Sequence, residues 1–367
     1  MKTKLSITLL VLLLNIQTKA QCLQSIDAGI GYTIVIKNDG TLLSSGANSY
    51  GQLGDGTYIN KNNMAQVGTT TNWQAFDAGS DHTLAVKTDG TLWAWGDNSN
   101  GELGDGTNLK KNIPTQIGTP TNWQLISLAL GDRHTNVIKA DGTLWAWGRN
   151  IEGQLGTGTN TNKYVPTKIG IANNWHRVAA GITFTVALKT DGTLWSWGSD
   201  TFGSLGNGVG TNINIPTQIG TDTNWQSISI NPNGNHTLAI KTDGTLWGWG
   251  ANTSRQLGFY TNPGVHQQTP IQIGTDNDWQ SVTAGGQFSL ATKNNGTLWG
   301  WGSNTYGQLG NGTNTNIPSP SQIGNETNWQ HLSAGNLFAV ALKTDGTFWA
   351  WGSNLSGNFG NGTNTNS

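Results

Sequence analysis

Apolar and polar positions alternate in runs of five to seven residues along this chain, and no segment repeats them at helical spacing. The stretch from Trp73 to Gly118 shows the pattern in full. Trp73-Gln74-Ala75-Phe76-Asp77-Ala78-Gly79 reads as a strand that stops at its glycine, and His82-Thr83-Leu84-Ala85-Val86-Lys87 as a second. Asp89-Gly90 then predicts a two-residue type I′ hairpin turn, because both residues accept positive φ. Thr91-Leu92-Trp93-Ala94-Trp95 is the third strand. Beyond a glycine-rich stretch, Pro114-Thr115-Gln116-Ile117-Gly118 fits an outer edge strand, where proline forfeits no ladder donor on its open side. Along the third strand Trp93 and Trp95 face one way and Leu92 and Ala94 the other, so both faces of the sheet must be covered.

This unit recurs. Its Asp-Gly-Thr turn has glycines at 40, 90, 142, 192, 244, 296 and 346, with Asn295 replacing the aspartate once. A period of 50 to 52 residues signals an array of stacked units. Seven four-stranded antiparallel sheets packed face to face around an axis cover both faces of each and leave only short edges. The fold class expected is therefore all-β: a seven-bladed β-propeller, with blades at about 21–72, 73–122, 123–174, 175–224, 225–278, 279–328 and 329–367. The seventh copy stops at Ser367, before its proline segment, so the last blade is expected to lack its outer strand, and a longer natural product would complete it. All 18 tryptophans fall at three repeated positions. A ligand-stacking ladder could use them, but recurrence in every blade except the first favours inter-blade packing.

The first 20 residues read as a signal peptide: Lys2 and Lys4, an apolar run from Leu5 to Leu14, and small residues at Thr18 and Ala20. The run is far shorter than the ~20 residues a membrane span needs, so release to the exterior or cell surface is expected, with a lipid anchor on Cys22 as the lesser alternative. Cys22 is the single cysteine and precludes an internal disulfide. Without the leader the chain carries a net charge of −4, which argues against a nucleic-acid footprint. A monomer is expected.

Trp301-Gly302-Ser303-Asn304-Thr305-Tyr306-Gly307-Gln308-Leu309-Gly310, with the alanine-glycine, histidine and Asp-Gly elements before it, resembles the regulator of chromosome condensation repeat. The resemblance runs from Cys22 to the end and recurs seven times. It implies a seven-bladed propeller and, taken with the leader, a secreted bacterial-type member. The family's founding activity is nucleotide exchange on a small GTPase, which the leader and the acidic charge disfavour here.

Differences among the copies point to one face. With strands A to D in each blade, the A–B and C–D loops share one face, and the Asp-Gly turns lie on the other. The interval from the opening Trp or Leu to the His or aromatic position is nine residues in five blades and eleven in the third and fifth, and two more residues enter the fifth blade near Pro263, Gly264 and His266. All three insertions are expected on the A–B/C–D face. The residue before the Gly-Gln-Leu-Gly element varies as Tyr50, Asn100, Glu152, Phe202, Ser254, Tyr306 and Ser356. Blade 5 further replaces glycine by Arg255 and Asn-Gly by Phe259-Tyr260. The candidate binding face is thus Tyr50, Asn100, Asp132, Arg133, Glu152, Phe202, Asn233, Arg255, Phe259, Tyr260, His266 and Tyr306.

No nucleophile elbow, phosphate loop or metalloprotease helix is present. His82, His134 and His236 share one repeat position filled elsewhere by Tyr32, Phe184, Phe288 and Phe338, which fits a structural histidine bonding backbone within its own blade better than a metal ligand. No cofactor is expected; weak calcium binding at loops such as those of Asp55 and Asp105 is the exception considered, with hydrated turns preferred. The function expected is a secreted or cell-surface scaffold that binds a protein or glycan without turnover. The alternatives are a hydrolase or lyase at the propeller axis, which acidic residues at the axial mouth would support, and a nucleotide-exchange factor.

Overall fold

The computed structural model describes residues 23–118, 123, 125–260 and 266–367. Residues 1–20, which read as a signal peptide, and Cys22, Pro263 and Gly264 lie outside these residues. Among them stand six four-stranded antiparallel sheets and one three-stranded sheet, each in simple sequential order. This is a seven-bladed propeller whose last blade has strands A to C only, as the repeat count implies. Blade 2 is typical: A spans Trp73–Ala78, B His82–Lys87, C Leu92–Gly96 and D Lys111–Gln116. Strand D thus begins three residues earlier than the proline segment suggests and ends before Ile117. Among the described residues no helix is long and apolar enough to cross a membrane.

Each blade buries its two faces differently. Trp95 packs back against blade 1, in a cluster with Tyr32, Ile34 and Trp73. Leu92 and Ala94 pack forward, against Trp123 and Trp147 of blade 3. The buried indole also crosses the junction: Trp95 Nε1 donates to the Gln52 carbonyl at 2.9 Å, and Trp147, Trp197, Trp249, Trp301 and Trp351 do the same one blade on. The three tryptophans of a blade meet edge to face, with Trp73 at 6.2 Å from Trp93 and 5.8 Å from Trp95. The tryptophans are therefore packing groups.

The Asp-Gly hairpin differs from the expected type I′ turn. Among the described residues only Phe202 and Arg255 of the non-glycines have positive φ, so Asp89 and its equivalents do not. Gly90 N donates to the Lys87 carbonyl and Lys87 N to that of Thr91, which makes a type I turn closed by a left-handed glycine. The aspartate acts through its side chain instead. Asp89 Oδ1 accepts from Thr91 N at 3.0 Å and from Thr91 Oγ1 at 2.6 Å, and Thr91 Oγ1 accepts from Trp93 Nε1 at 2.8 Å. Asp-Gly-Thr-x-Trp is thus one hydrogen-bonded unit, repeated at Asp141, Asp191 and Asp243.

The ring closes between blades 7 and 1 without a D strand in blade 7. Ala28 N donates to Ser333 Oγ at 3.0 Å, and Gly362 N donates to the Asn62 carbonyl at 2.6 Å.

Candidate functional site

The two loop sets do share a face. In every blade the first residue after strand C donates its N–H to a carbonyl of the A–B loop, as Asp97 does to Asp81 and Ala251 to Asn235, each at 2.8 Å. The opening strand-A residue instead donates to the hairpin glycine at the other end, as Trp73 does to Gly40.

Only the blade 5 insertions fall on the loop face. In blade 5 the partners Gly250 and Gln267 are 17 residues apart, against 15 for Gly96 and Lys111, so the C–D loop is longer by two. Its A–B loop is longer as well, running from Ile230 to Asn235. In blade 3, by contrast, Leu130 pairs with Thr135 just as Ala78 pairs with Thr83, and the A–B loop has ordinary length. The two extra residues are absorbed between Trp123 and Ser127, because Trp123 keeps its place beside Trp145 and Trp147 while Leu125 takes the register partner that Trp73 has in blade 2. Asp132 and Arg133 remain on the loop face, paired at 3.5 Å, but without an insertion beneath them.

The candidate residues separate into two contacting pairs and a scattered ring. Phe202 of blade 4 and His266 of blade 5 stack edge to face with centroids 4.7 Å apart. Arg255 lies over the Tyr260 ring at 5.2 Å, and Tyr260 is 65 % exposed. Phe202 and Arg255 are also the two left-handed non-glycine residues among those described, at φ 66° and 62°. Arg255 stands where the other blades place a glycine of φ 72–86°. Phe259 does not belong to this exposed group: it turns partly inward against the Trp279 and Trp301 core. Asn233 is half-buried and caps Asn231, whose amide reaches from blade 5 to the Ala334 carbonyl of blade 7 at 2.8 Å. Tyr50, Asn100, Glu152 and Tyr306 sit one to a blade; each donates its N–H to the Gln or Glu two residues on, and Glu152 is held by Arg149 at 2.8 Å.

Beside the ring, blades 2 and 3 hold a charged group. Glu102 is fully buried at a position occupied by Gln52, Gln154, Gln256 and Gln308 elsewhere, and burial pushes its carboxyl up to about 7. Asp81, which accepts from Gln52 Nε2 at 3.0 Å, is pushed up to about 6 by burial and by the neighbouring Asp132 and Asp97 charges. Asp55 and Asp105, the calcium candidates, are engaged by the Thr57 and Thr107 hydroxyls and backbones and by Lys61 and Lys111. Among the described residues no group of three His, Cys, Asp or Glu could hold a metal.

The histidines bond across blades and not to their own blade's backbone. His82, His134 and His236 place Nε2 at 3.1, 3.0 and 3.2 Å from Thr135, Thr185 and Ser289 of the next blade. Burial holds them neutral, at about 4, 3 and 3. A glycine beneath makes room: a Cβ on Gly79 would stand 2.9 Å from the His82 ring.

At the axis a cavity of about 270 Å³ is lined by the A strands and by Pro232 of the blade 5 insertion. Asp27 and Asp77 face each other there, both raised, Asp77 by burial and by the Asp27 charge. Their oxygens tie successive blades: Asp27 accepts from Ala78 N at 2.8 Å and Ser333 Oγ at 2.6 Å, and Asp77 from Leu130 N at 2.7 Å. Ser229 accepts from Ala284 N in the same way. The repeat alignment puts these residues in one column, but only the closed ring shows that the column lines the axis. A second set also escaped sequence reading. The lysine ending strand B lies between two tryptophans in blades 2 to 7, as Lys87 does at 4.0 Å from Trp93 and 4.8 Å from Trp73. Its recurrence in every repeat was the available signal.

The model of the RCC1-like domain matches residues 125–367, and that of the regulator of chromosome condensation (RCC1) repeat matches 39–86 and 89–138. The chain belongs to the RCC1-like domain family. This RCC1-like propeller is 28 % identical over 189 residues to the ultraviolet-B receptor UVR8 of Arabidopsis thaliana, a match that spans 50 % of the chain and 42 % of the receptor. It is 28 % identical over 193 residues to the human E3 ubiquitin-protein ligase HERC2, over 53 % of the chain and 3 % of the ligase. The chain thus spans less than half the length of these relatives. Among solved structures, yeast RCC1 (Prp20) bound to Kap60 superposes with a TM-score of 0.77 at 21 % identity, covering 88 % of the RCC1-like propeller and 81 % of that chain. Human WBSCR16 gives 0.77 at 21 % identity, covering 88 % of both. These structural likenesses are likenesses of fold.

Proposed function

We propose that the chain is a secreted or cell-surface scaffold that binds a protein or glycan through the A–B/C–D face of blades 4 and 5. The observation that carries this reading is a set of two contacting pairs, Phe202 with His266 and Arg255 with Tyr260. Phe202, Arg255 and Tyr260 are exposed, three of the four residues belong to the blade with both loop insertions, and two hold a left-handed backbone. Such conformations cost on the order of 1–3 kcal/mol and gather at functional sites. Aromatic and arginine side chains are also the groups that dominate binding energy. A family of propellers that includes Prp20, crystallised with Kap60, supports a role in protein recognition. The decisive comparison is capture of partner proteins and of arrayed glycans by the wild type and by a Phe202→Ala, Tyr260→Ala double variant of matched melting temperature. Loss of capture is expected, and equal capture overturns the face.

The axial Asp27 and Asp77 favour the second reading, a hydrolase or lyase, since they place two carboxyls in one cavity. Three of their oxygens are committed to neighbouring blades, which supports a structural role. The exchange-factor reading rests on family likeness alone.

A further inference from the structure

At four seams the loop after strand C closes on the following blade in one way, and at the seam between blades 5 and 6 it does not. The glycine after each loop's variable residue lies flush on the second residue of the next strand D. A Cβ built on Gly51, Gly101, Gly153 or Gly203 would stand 2.7–2.9 Å from the Cα of Asn112, Tyr164, Asn214 or Gln268. Five residues on, Gly56, Gly106, Gly158 and Gly208 donate their N–H to the carbonyls of those same four residues at 2.8–3.0 Å. In blade 5 the two glycines are replaced by Arg255 and Tyr260, and the residue they would meet is Pro318, second in the strand Ile317–Ile323. Arg255 carries the Cβ for which the four closed seams have no room. Among the described residues Tyr260 N makes no bond to the Pro318 carbonyl.

The seam therefore stands open. A cleft of about 230 Å³ separates Thr253, Ser254 and Arg255 from Asn316, Ile317 and Pro318. Its polar groups are chiefly donors. Arg255 brings a guanidinium, a planar fork of N–H groups with no acceptor. Arg133 and Arg149 on the same face of the ring are paired with Asp132 and Glu152, whereas Arg255 has the Tyr260 ring and, among the described residues, no carboxylate. The blade 5 and blade 6 loops on this face, 230–235, 251–266, 285–287 and 303–316, contain no aspartate or glutamate. Thr253 and Asn316 are exposed, and Asn316 Oδ1 already accepts from Asn304 N at 2.8 Å, so its amide NH2 is left to donate. The exposed Pro318 and half-buried Ile317 supply an apolar wall.

We infer that this cleft binds one hexuronate unit of an acidic glycan, with the sugar carboxylate held by Arg255. The inference rests on the proposed binding face, since Arg255 and Tyr260 form one of the two pairs that carry it. A guanidinium fork matches a carboxylate bidentately. A lone cation with no acid beside it suits a group of single negative charge. The cleft is smaller than the ~300–1,000 Å³ pockets that enclose drug-sized ligands, and takes a single sugar ring. The Thr253 hydroxyl and the Asn316 amide pair with ring hydroxyls. Pro318, and Tyr260 at 65 % exposure beside Arg255, offer apolar surface to the C–H face of the ring. An aspartate or glutamate side chain would occupy the guanidinium and leave the hydroxyl, the amide and the apolar wall unused.

The test titrates the whole chain with a galacturonate trimer, with its methyl ester and with triglutamate, read by calorimetry. Saturable binding of the trimer with Kd below about 1 mM is expected. A loss of about tenfold or more is expected on methyl esterification, and in Arg255→Gln, which keeps a long side chain and removes the charged fork. Arg255→Gly restores the residue of the four closed seams, so it is expected to fold and to lose the trimer equally. Absence of saturable binding, or equal binding of the methyl ester or by either variant, overturns the inference. Triglutamate binding as tight as that of the trimer also overturns it and assigns the cleft to an acidic peptide. Failure of the face is read separately, in the capture assay. If the Phe202→Ala, Tyr260→Ala variant loses capture while the wild type binds no trimer, the face stands and the hexuronate falls. If the trimer binds through Arg255 while that variant captures partners as the wild type does, the face falls and the hexuronate stands.

Discussion

Glu102 shows how a single residue departs from a repeated scaffold. Its equivalents Gln52, Gln154, Gln256 and Gln308 accept a loop N–H through Oε1, and Glu102 does so through Oε2, from Asn100 at 2.7 Å. Its other oxygen is buried without a partner. Because burial raises the folded carboxyl from 4.5 to about 7, the stability linked to it is full below pH 4.5 and is lost as pH climbs through 7. Glu102→Gln should therefore melt higher than wild type at pH 8, by on the order of 2–3 kcal/mol, and the two should converge at pH 4. A scan of melting temperature against pH for both chains settles it; parallel curves would refute the assignment. The glutamate among glutamines was visible in the repeats, whereas its complete burial was not, because the loop around it carries mostly polar residues. The Asp-Gly turn carries a related lesson: the dipeptide alone suggests type I′, but the threonine after it and the tryptophan two further on capture the aspartate side chain and leave its backbone ordinary.

At the scale of strands and loops, spacing between landmark residues located the blades and the strands but not every insertion. Counting from Trp123 to His134 cannot tell whether extra residues enter the strand or the loop, and in blade 3 the tryptophan's packing decided for the strand. In blade 5 both insertions are real loop extensions, and Arg255 there occupies a glycine's conformation. Arg255→Gly should stabilise the fold modestly, on the order of 1 kcal/mol, by removing the left-handed penalty, while removing the cation over Tyr260 and weakening partner capture. Thermal melting and a capture assay on the same preparation measure the two effects. A variant less stable than wild type would mean that the arginine is retained for folding.

Across the whole molecule, each junction between blades is closed by a small polar or aromatic set, and three of the seven place a histidine there. The recurrence of His82, His134 and His236 was legible in the sequence. Their partners were not, since Thr135, Thr185 and Ser289 stand in the next blade, about 50 residues away. The folded ring keeps these histidines neutral to about pH 3–4, whereas an unfolded chain protonates them near 6.5. The unfolded state therefore binds more protons as pH falls, and stability declines below pH 6.5, by on the order of 3 kcal/mol per histidine at pH 4. The raised carboxyls of Asp81 and Glu102 oppose this, losing stability as pH rises. The three histidines outweigh these two carboxyls below pH 6.5, so the stability of the ring should rise from pH 4 and level off near pH 7. Phe184, Phe288 and Phe338 show that phenylalanine fits the same place over the same glycine, a Cβ on Gly181 standing 2.2 Å from the Phe184 ring. The threonine and serine hydroxyls left behind keep a partner, since they donate to the Glu102, Gln154 and Gln256 carbonyls. The triple variant His82→Phe, His134→Phe, His236→Phe should accordingly keep the fold, lose the acid limb of the stability curve and retain the decline from pH 4 to 7 that Asp81 and Glu102 impose. Denaturant melts at pH 4, 6 and 8 test this: an acid limb unchanged by the three substitutions would place the acid sensitivity elsewhere in the ring.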